Sequence, residues 1–62
     1  MQPNGVVELA VDMPEEGLVA GSIGTIVHVF QVPNLAYEVE FADQNGKTIA
    51  QVPLRPDQIR SR

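Results

Sequence analysis

The stretch Ala36-Tyr-Glu-Val-Glu-Phe41 alternates apolar and acidic side chains without a break. A period of two belongs to a strand with one buried and one wet face, and a helix of 3.6 residues per turn cannot use it. A strand needs partners, and the same period recurs on both sides. Val6–Asp12 sets Val7, Leu9 and Val11 against Glu8, Ala10 and Asp12. Thr25–Val32 is rich in β-branched residues, which suit a pleated surface. Lys47–Leu54 puts Ala50, Val52 and Leu54 on one face. Pro53 has no N–H to give to a ladder, so this strand ends there or lies at a sheet edge. No stretch carries the ten or so periodic residues of a helix.

The connections follow from their punctuation. Asp12–Ser22 contains Pro14, Gly17 and Gly21 and reads as a long loop with an acidic tip at Glu15 and Glu16. Val32–Leu35 is a turn in which Pro33 fixes φ and Asn34 tolerates a left-handed conformation. Asp43–Gly46 is a hairpin turn, with Asn45-Gly46 supplying positive φ angles. Pro56 opens a single 3₁₀ turn, and Ile59 begins a short last strand. Residues 1–62 therefore predict one all-β domain, a small five-stranded SH3-like barrel with one short 3₁₀ turn near the C-terminus. The expected core is Val7, Leu9, Val11, Ile23, Ile26, Val29, Val39, Phe41, Val52, Leu54 and Ile59. In the second strand a bulge between Ile26 and Val29 would bring both inward, leaving Val27 or Phe30 partly exposed.

A chain of 62 residues limits what that core can do. A domain of this size buries only about 60% of its unfolded surface. Its core rarely supplies more than ~3–5 kcal/mol. The chain has no cysteine, so no disulfide adds to this, and a single histidine, His28, makes a His/Cys zinc site impossible. Association with a partner or a second copy gains weight accordingly. The formal charge of −4 is the opposite of a nucleic-acid binder's basic footprint and favours a protein or a cationic ligand. No apolar run approaches the ~18 residues of a membrane span. Met1–Gly5 lacks the basic-then-apolar pattern of a signal peptide, and the lack of cysteine fits the cytoplasm.

Three glycines, Gly17, Gly21 and Gly24, precede the second strand. They are no phosphate loop: no Gly-Lys-Ser/Thr follows, no lysine is near, and they open a strand rather than a helix. Gly21 and Gly24 instead let the backbone turn and approach a neighbouring strand. No cofactor is expected.

The segment Ala20-Gly-Ser-Ile-Gly-Thr-Ile-Val-His-Val-Phe30 resembles the G-x-x-G-x-V-x-x-V opening of KOW-type and other SH3-like barrels. Over nearly its whole length the chain is similar to a family of short bacterial proteins known as a domain of unknown function. The segments that carry this likeness are Asp12–Leu18, Gly24–Val27, Ala36–Phe41 and Asp57–Arg60. The resemblance implies an SH3-like barrel and no established activity, and leaves room for an antitoxin-like or adaptor role. The negative charge departs from the KOW nucleic-acid binders.

Candidate chemistry is sparse. Glu38 and Glu40 share a strand face, but acid–base work would need one of them buried, and they alternate with the best core positions. Asp12, Glu15 and Glu16 show no EF-hand spacing and read as a solvated acidic loop, so no metal is expected. His28 has no nucleophile to serve and reads as a surface or interface histidine. Lys47, Arg55, Arg60 and Arg62 are the only bases, and three of them fall in the last eight residues, where they would neutralise the acidic body or be disordered. Phe30, Val32 and Leu35 bracket Pro33 and form an apolar rim.

The expected function is a non-enzymatic protein-interaction module. The expected partner-binding residues are Phe30, Val32, Leu35, His28, Glu15 and Glu16, with Phe30 and Leu35 as anchors and an acidic rim of Glu15, Glu16, Glu38 and Glu40 steering a basic protein partner; self-association is the other use of the same surface. A KOW- or OB-style nucleic-acid-binding barrel is an alternative that would need Tyr37 and the C-terminal arginines on one surface. A small accessory subunit of a larger enzyme is another.

Overall fold

In the computed structural model, which describes residues 1–62, the chain forms five strands: β1 (Val6–Leu9), β2 (Ile23–Phe30), β3 (Ala36–Ala42), β4 (Thr48–Leu54) and β5 (Ile59–Ser61). All pairings are antiparallel, in one sheet of order β4-β3-β2-β1-β5. The other regular elements are two 3₁₀ turns, Pro14–Glu16 and Pro56–Gln58. The second stands where the sequence places it. The first lies inside the expected acidic loop and obeys the same rule, with proline at its first position and Gly17 closing it at φ 72°. No helix is long and apolar enough to cross a membrane.

Ten apolar residues form one core cluster, drawn from all five strands and from Leu18 in the β1–β2 connection. Leu9, Ile26 and Val39 are fully buried although no second layer covers the sheet. The inward side chains of all five strands meet in one cluster, so the twisted sheet curls around its own inner face. Pro53 lies within β4, an edge strand, where a missing donor is tolerated.

Two expected core positions fall outside. The strand β1 stops at Leu9: Ala10 N–H bonds the Gln58 carbonyl, and Asp12 Oδ1 accepts from Ala20 N–H at 2.8 Å. Val11 thus leaves the sheet and is exposed. Ile23 pairs with Glu8 on the outer face, because the inward position next to it belongs to Gly24. Leu18 joins the core cluster instead, held by an isolated bridge between Met13 and Leu18. Tyr37 is buried with it. The bulge in β2 is present, its register shifting between Ile26 and His28, and Val29 packs half-buried against the core.

The β3–β4 hairpin is wider than a two-residue turn. Gly46 N–H bonds the Asp43 carbonyl, Asp43 N–H bonds the Lys47 carbonyl, and Gly46 alone takes a positive φ, 81°. This is a three-residue loop ending in a glycine bulge. The Asp43 carboxylate accepts from the N–H groups of Asn45 (2.8 Å) and Lys47 (3.0 Å). Asp43→Ala is expected to cost about 1 kcal/mol, because two loop donors lose their acceptor to water. A urea titration that finds no shift in midpoint would show that the loop holds without it. Asn34, in the β2–β3 turn, does not adopt the left-handed conformation; Asn4 does, at φ 68°. The C-terminus is ordered rather than loose: β5 pairs with β1, and Arg62 N–H bonds the Val6 carbonyl at 3.1 Å.

Candidate interaction surface

The ribbon of β2 and β3 carries the features singled out in the sequence. Its pairs run Thr25↔Glu40, Ile26↔Val39, His28↔Glu38, Val29↔Tyr37 and Phe30↔Ala36. Ile26, Val29, Tyr37 and Val39 face the core. Alternation therefore directs Thr25, Glu40, His28, Glu38, Phe30 and Ala36 outward. The bulge adds Val27 to β2 and keeps Val29 on the inner side beyond it. Val27 is the residue left over, so both Val27 and Phe30 are exposed.

The outcome is an apolar surface at the turn end of the ribbon, where β2 runs into β3. Val27 (42%), Phe30 (39%), Leu35 (44%) and Val32 (83%) all remain accessible. The His28 and Phe30 rings meet edge to face, with centroids 4.6 Å apart and planes at 70°. This is a favoured aromatic geometry, and it places the imidazole beside the Phe30 ring on the outer face. Of the expected partner-binding residues, Phe30 and His28 are in contact at the end of β2, and Val32 and Leu35 are exposed on the turn that follows. Glu15 and Glu16 are exposed on the first 3₁₀ turn, in the β1–β2 connection, and no hydrogen bond or ion pair joins them to the ribbon. Val27 is the addition that the sequence reading did not place in this surface. Its signal was four apolar residues among the five from Ile26 to Phe30, too many for one buried face.

Acidic groups share the outer face. Glu38 accepts from Gln51 Nε2 at 3.2 Å, and Glu40 from Thr48 Oγ1 at 3.1 Å. Both donors are neutral and come from β4. The ion pair in the molecule, Arg55 to Asp57 at 3.1 Å, lies on the exposed second 3₁₀ turn. Arg60 stands across from Glu8 on β1, at the other side of the sheet. Glu38 and Glu40 are therefore oriented by hydrogen bonds but carry no cationic partner.

Elsewhere the molecule offers little reactive chemistry. An open depression of about 340 Å³ lies between the N-terminal turn and the last residues, and Arg62 is the one charged side chain at its wall. No cluster of three or more histidine, aspartate or glutamate side chains is arranged to hold a metal ion. Tyr37 is packed in the core, so it provides no face on which a base could stack beside the C-terminal arginines.

No curated protein and no solved structure matches the chain. Residues 4–61 match a family described as a domain of unknown function, DUF4926. The match spans both 3₁₀ turns and all five strands, including the whole β2–β3 ribbon. The chain belongs to the DUF4926 family.

Proposed function

We propose that the chain is a non-enzymatic protein-interaction module, built as an SH3-like barrel, that binds through the turn end of the β2–β3 ribbon. The barrel reading is supported by the order β4-β3-β2-β1-β5, with a long β1–β2 connection and a 3₁₀ turn leading from β4 into β5. The observation that carries the function is the exposure of Val27, Phe30, Val32 and Leu35 in one continuous segment beside the buried core. Apolar side chains gathered at one place are the usual anchors of an interface. Phe30 is the principal anchor, because its ring is large and held in place by His28. An adaptor or antitoxin-like role is one form of this function, in which the acidic surface covers a basic site on the partner. The absence of cysteine favours a reducing compartment, the cytoplasm.

The test is a single substitution. Phe30→Asp places a charge on the outer face without touching the core, so the circular dichroism spectrum is expected to be unchanged while association is lost. Native purification of both forms, followed by light scattering, reads the difference. A folded Phe30→Asp protein that associates as the parent does would refute binding through this surface.

A further inference from the structure

We infer that the occupant of this surface is a cationic partner that sets two lysine or arginine side chains against Glu38 and Glu40 and an apolar side chain against Phe30. This rests on the interaction reading above and decides between the two occupants it leaves open. Glu38 and Glu40 are two residues apart on the outer face of β3, hence about 7 Å from each other. Glu38 is paired across the ribbon with His28, whose ring touches Phe30. The outer face thus reads acid, acid, aromatic along one ribbon, with Val27 at its side. Neither carboxylate has a cation in its own chain, and their neutral donors Gln51 and Thr48 fix the side chains without neutralising them. Groups held in place and left charged lose little freedom when a counter-charge arrives.

A second copy fits this surface poorly. The chain carries −4, and a two-fold pairing through the ribbon would bring Glu38 and Glu40 of one copy toward those of the other. Like charges brought together across an interface oppose it, whereas a basic apolar surface meets both features at once.

The probe is a short fluorescent peptide of alternating lysine and leucine, with a counterpart in which glutamate replaces lysine. Fluorescence anisotropy against the full chain reads binding. The lysine peptide is expected to bind and the glutamate peptide not to. The pair Glu38→Gln/Glu40→Gln keeps side-chain shape and is expected to weaken binding about tenfold, through the loss of two ion pairs. The pair Glu15→Gln/Glu16→Gln removes the same charge from a different loop and is expected to change it less than about twofold. Equal losses from both pairs would overturn the inference, since general acidity would then suffice. So would failure of the lysine peptide to bind. A homodimer mass that Phe30→Asp abolishes would overturn the cationic partner and leave the ribbon as the binding surface. Undiminished peptide binding by Phe30→Ser, which removes the ring without adding a carboxylate, would remove the ribbon reading itself.

Discussion

Phe41→Ala is expected to leave the chain largely unfolded at room temperature. Phe41 is the largest of the fully buried side chains and sits near the end of β3, paired with Gly24 of β2 on one side and Ala50 of β4 on the other. Truncating a buried phenylalanine costs about 3–5 kcal/mol, the lost transfer energy plus the cavity left behind. A core this small supplies about the same amount in total. No disulfide backs it up. Phe41→Leu keeps most of the volume and is expected to lose only about 1 kcal/mol, a fall in Tm of roughly 4–8 °C. Thermal melts followed by circular dichroism separate the two. A cooperative transition for Phe41→Ala close to that of the parent would mean that the neighbouring side chains close the cavity.

The second large effect is expected at Gly24, and for a different reason. Its φ is not in the left-handed region, so conformational freedom is not what the site requires. A Cβ here would lie 2.6 Å from Val39 Cγ1, 2.9 Å from Phe41 Cε1 and 3.0 Å from the Glu40 carbonyl oxygen. Two of these are core side chains and the third is backbone, which cannot rotate aside. Gly24→Ala is expected to cost about 1–3 kcal/mol by overpacking, toward the upper end, and Gly24→Val to abolish the folded state. The contrast is Gly21, where φ is 95° and nothing lies within 4 Å of an added Cβ, so only backbone strain applies there. Combining Gly24→Ala with Phe41→Leu tests the contact directly. Replacing the ring relieves part of the clash, so the double variant is expected to be more stable than the sum of the two losses. Strict additivity, measured by urea denaturation, would show that the two side chains do not meet.

The same glycine explains where the sequence was hardest to read. Counting back by two from Ile26 makes Gly24 the inward residue and Ile23 the outward one. A glycine is easily passed over as a core position because it buries no side chain. Here it admits the Phe41 ring instead, and Ile23 turns out beside Glu8. Val11 falls outside the core because β1 ends at Leu9. Its alternation with Leu9 is real, but Ala10 already bonds the Gln58 carbonyl, and Asp12 folds back on Ala20. Leu18 gave no periodic signal, since it stands alone between Gly17 and Val19 and reaches the core only because the first 3₁₀ turn and the Met13 bridge bring it there. By contrast, β3 and the inward face of β4 were plain from their alternation. The second 3₁₀ turn followed from Pro56, and Pro53 left β4 either ending there or lying at an edge, of which the structure takes the second.

The interaction surface was legible in part. Phe30, Val32 and Leu35 stand out as apolar residues around a proline, and β2 holds more apolar side chains than one face can bury. Phe30 meets His28 because the two stand two residues apart on the outer face of β2, past the bulge, and the lack of any hydrogen bond or ion pair from Glu15 and Glu16 to the ribbon follows from where the β1–β2 connection runs.

By itself the sequence determined the class of the fold and the sidedness of its best strands, because a period of two and the stereochemistry of proline and glycine act over a few residues. It also determined the charge and the absence of covalent or His/Cys zinc reinforcement, which are matters of composition. The tertiary structure alone decided that Val27 is the residue the bulge leaves over, the burial of Leu18, and the position of Glu38 and Glu40 beside an aromatic anchor. Those depend on which strand lies against which and in what register, and register is set by how the whole sheet curls to close one small core.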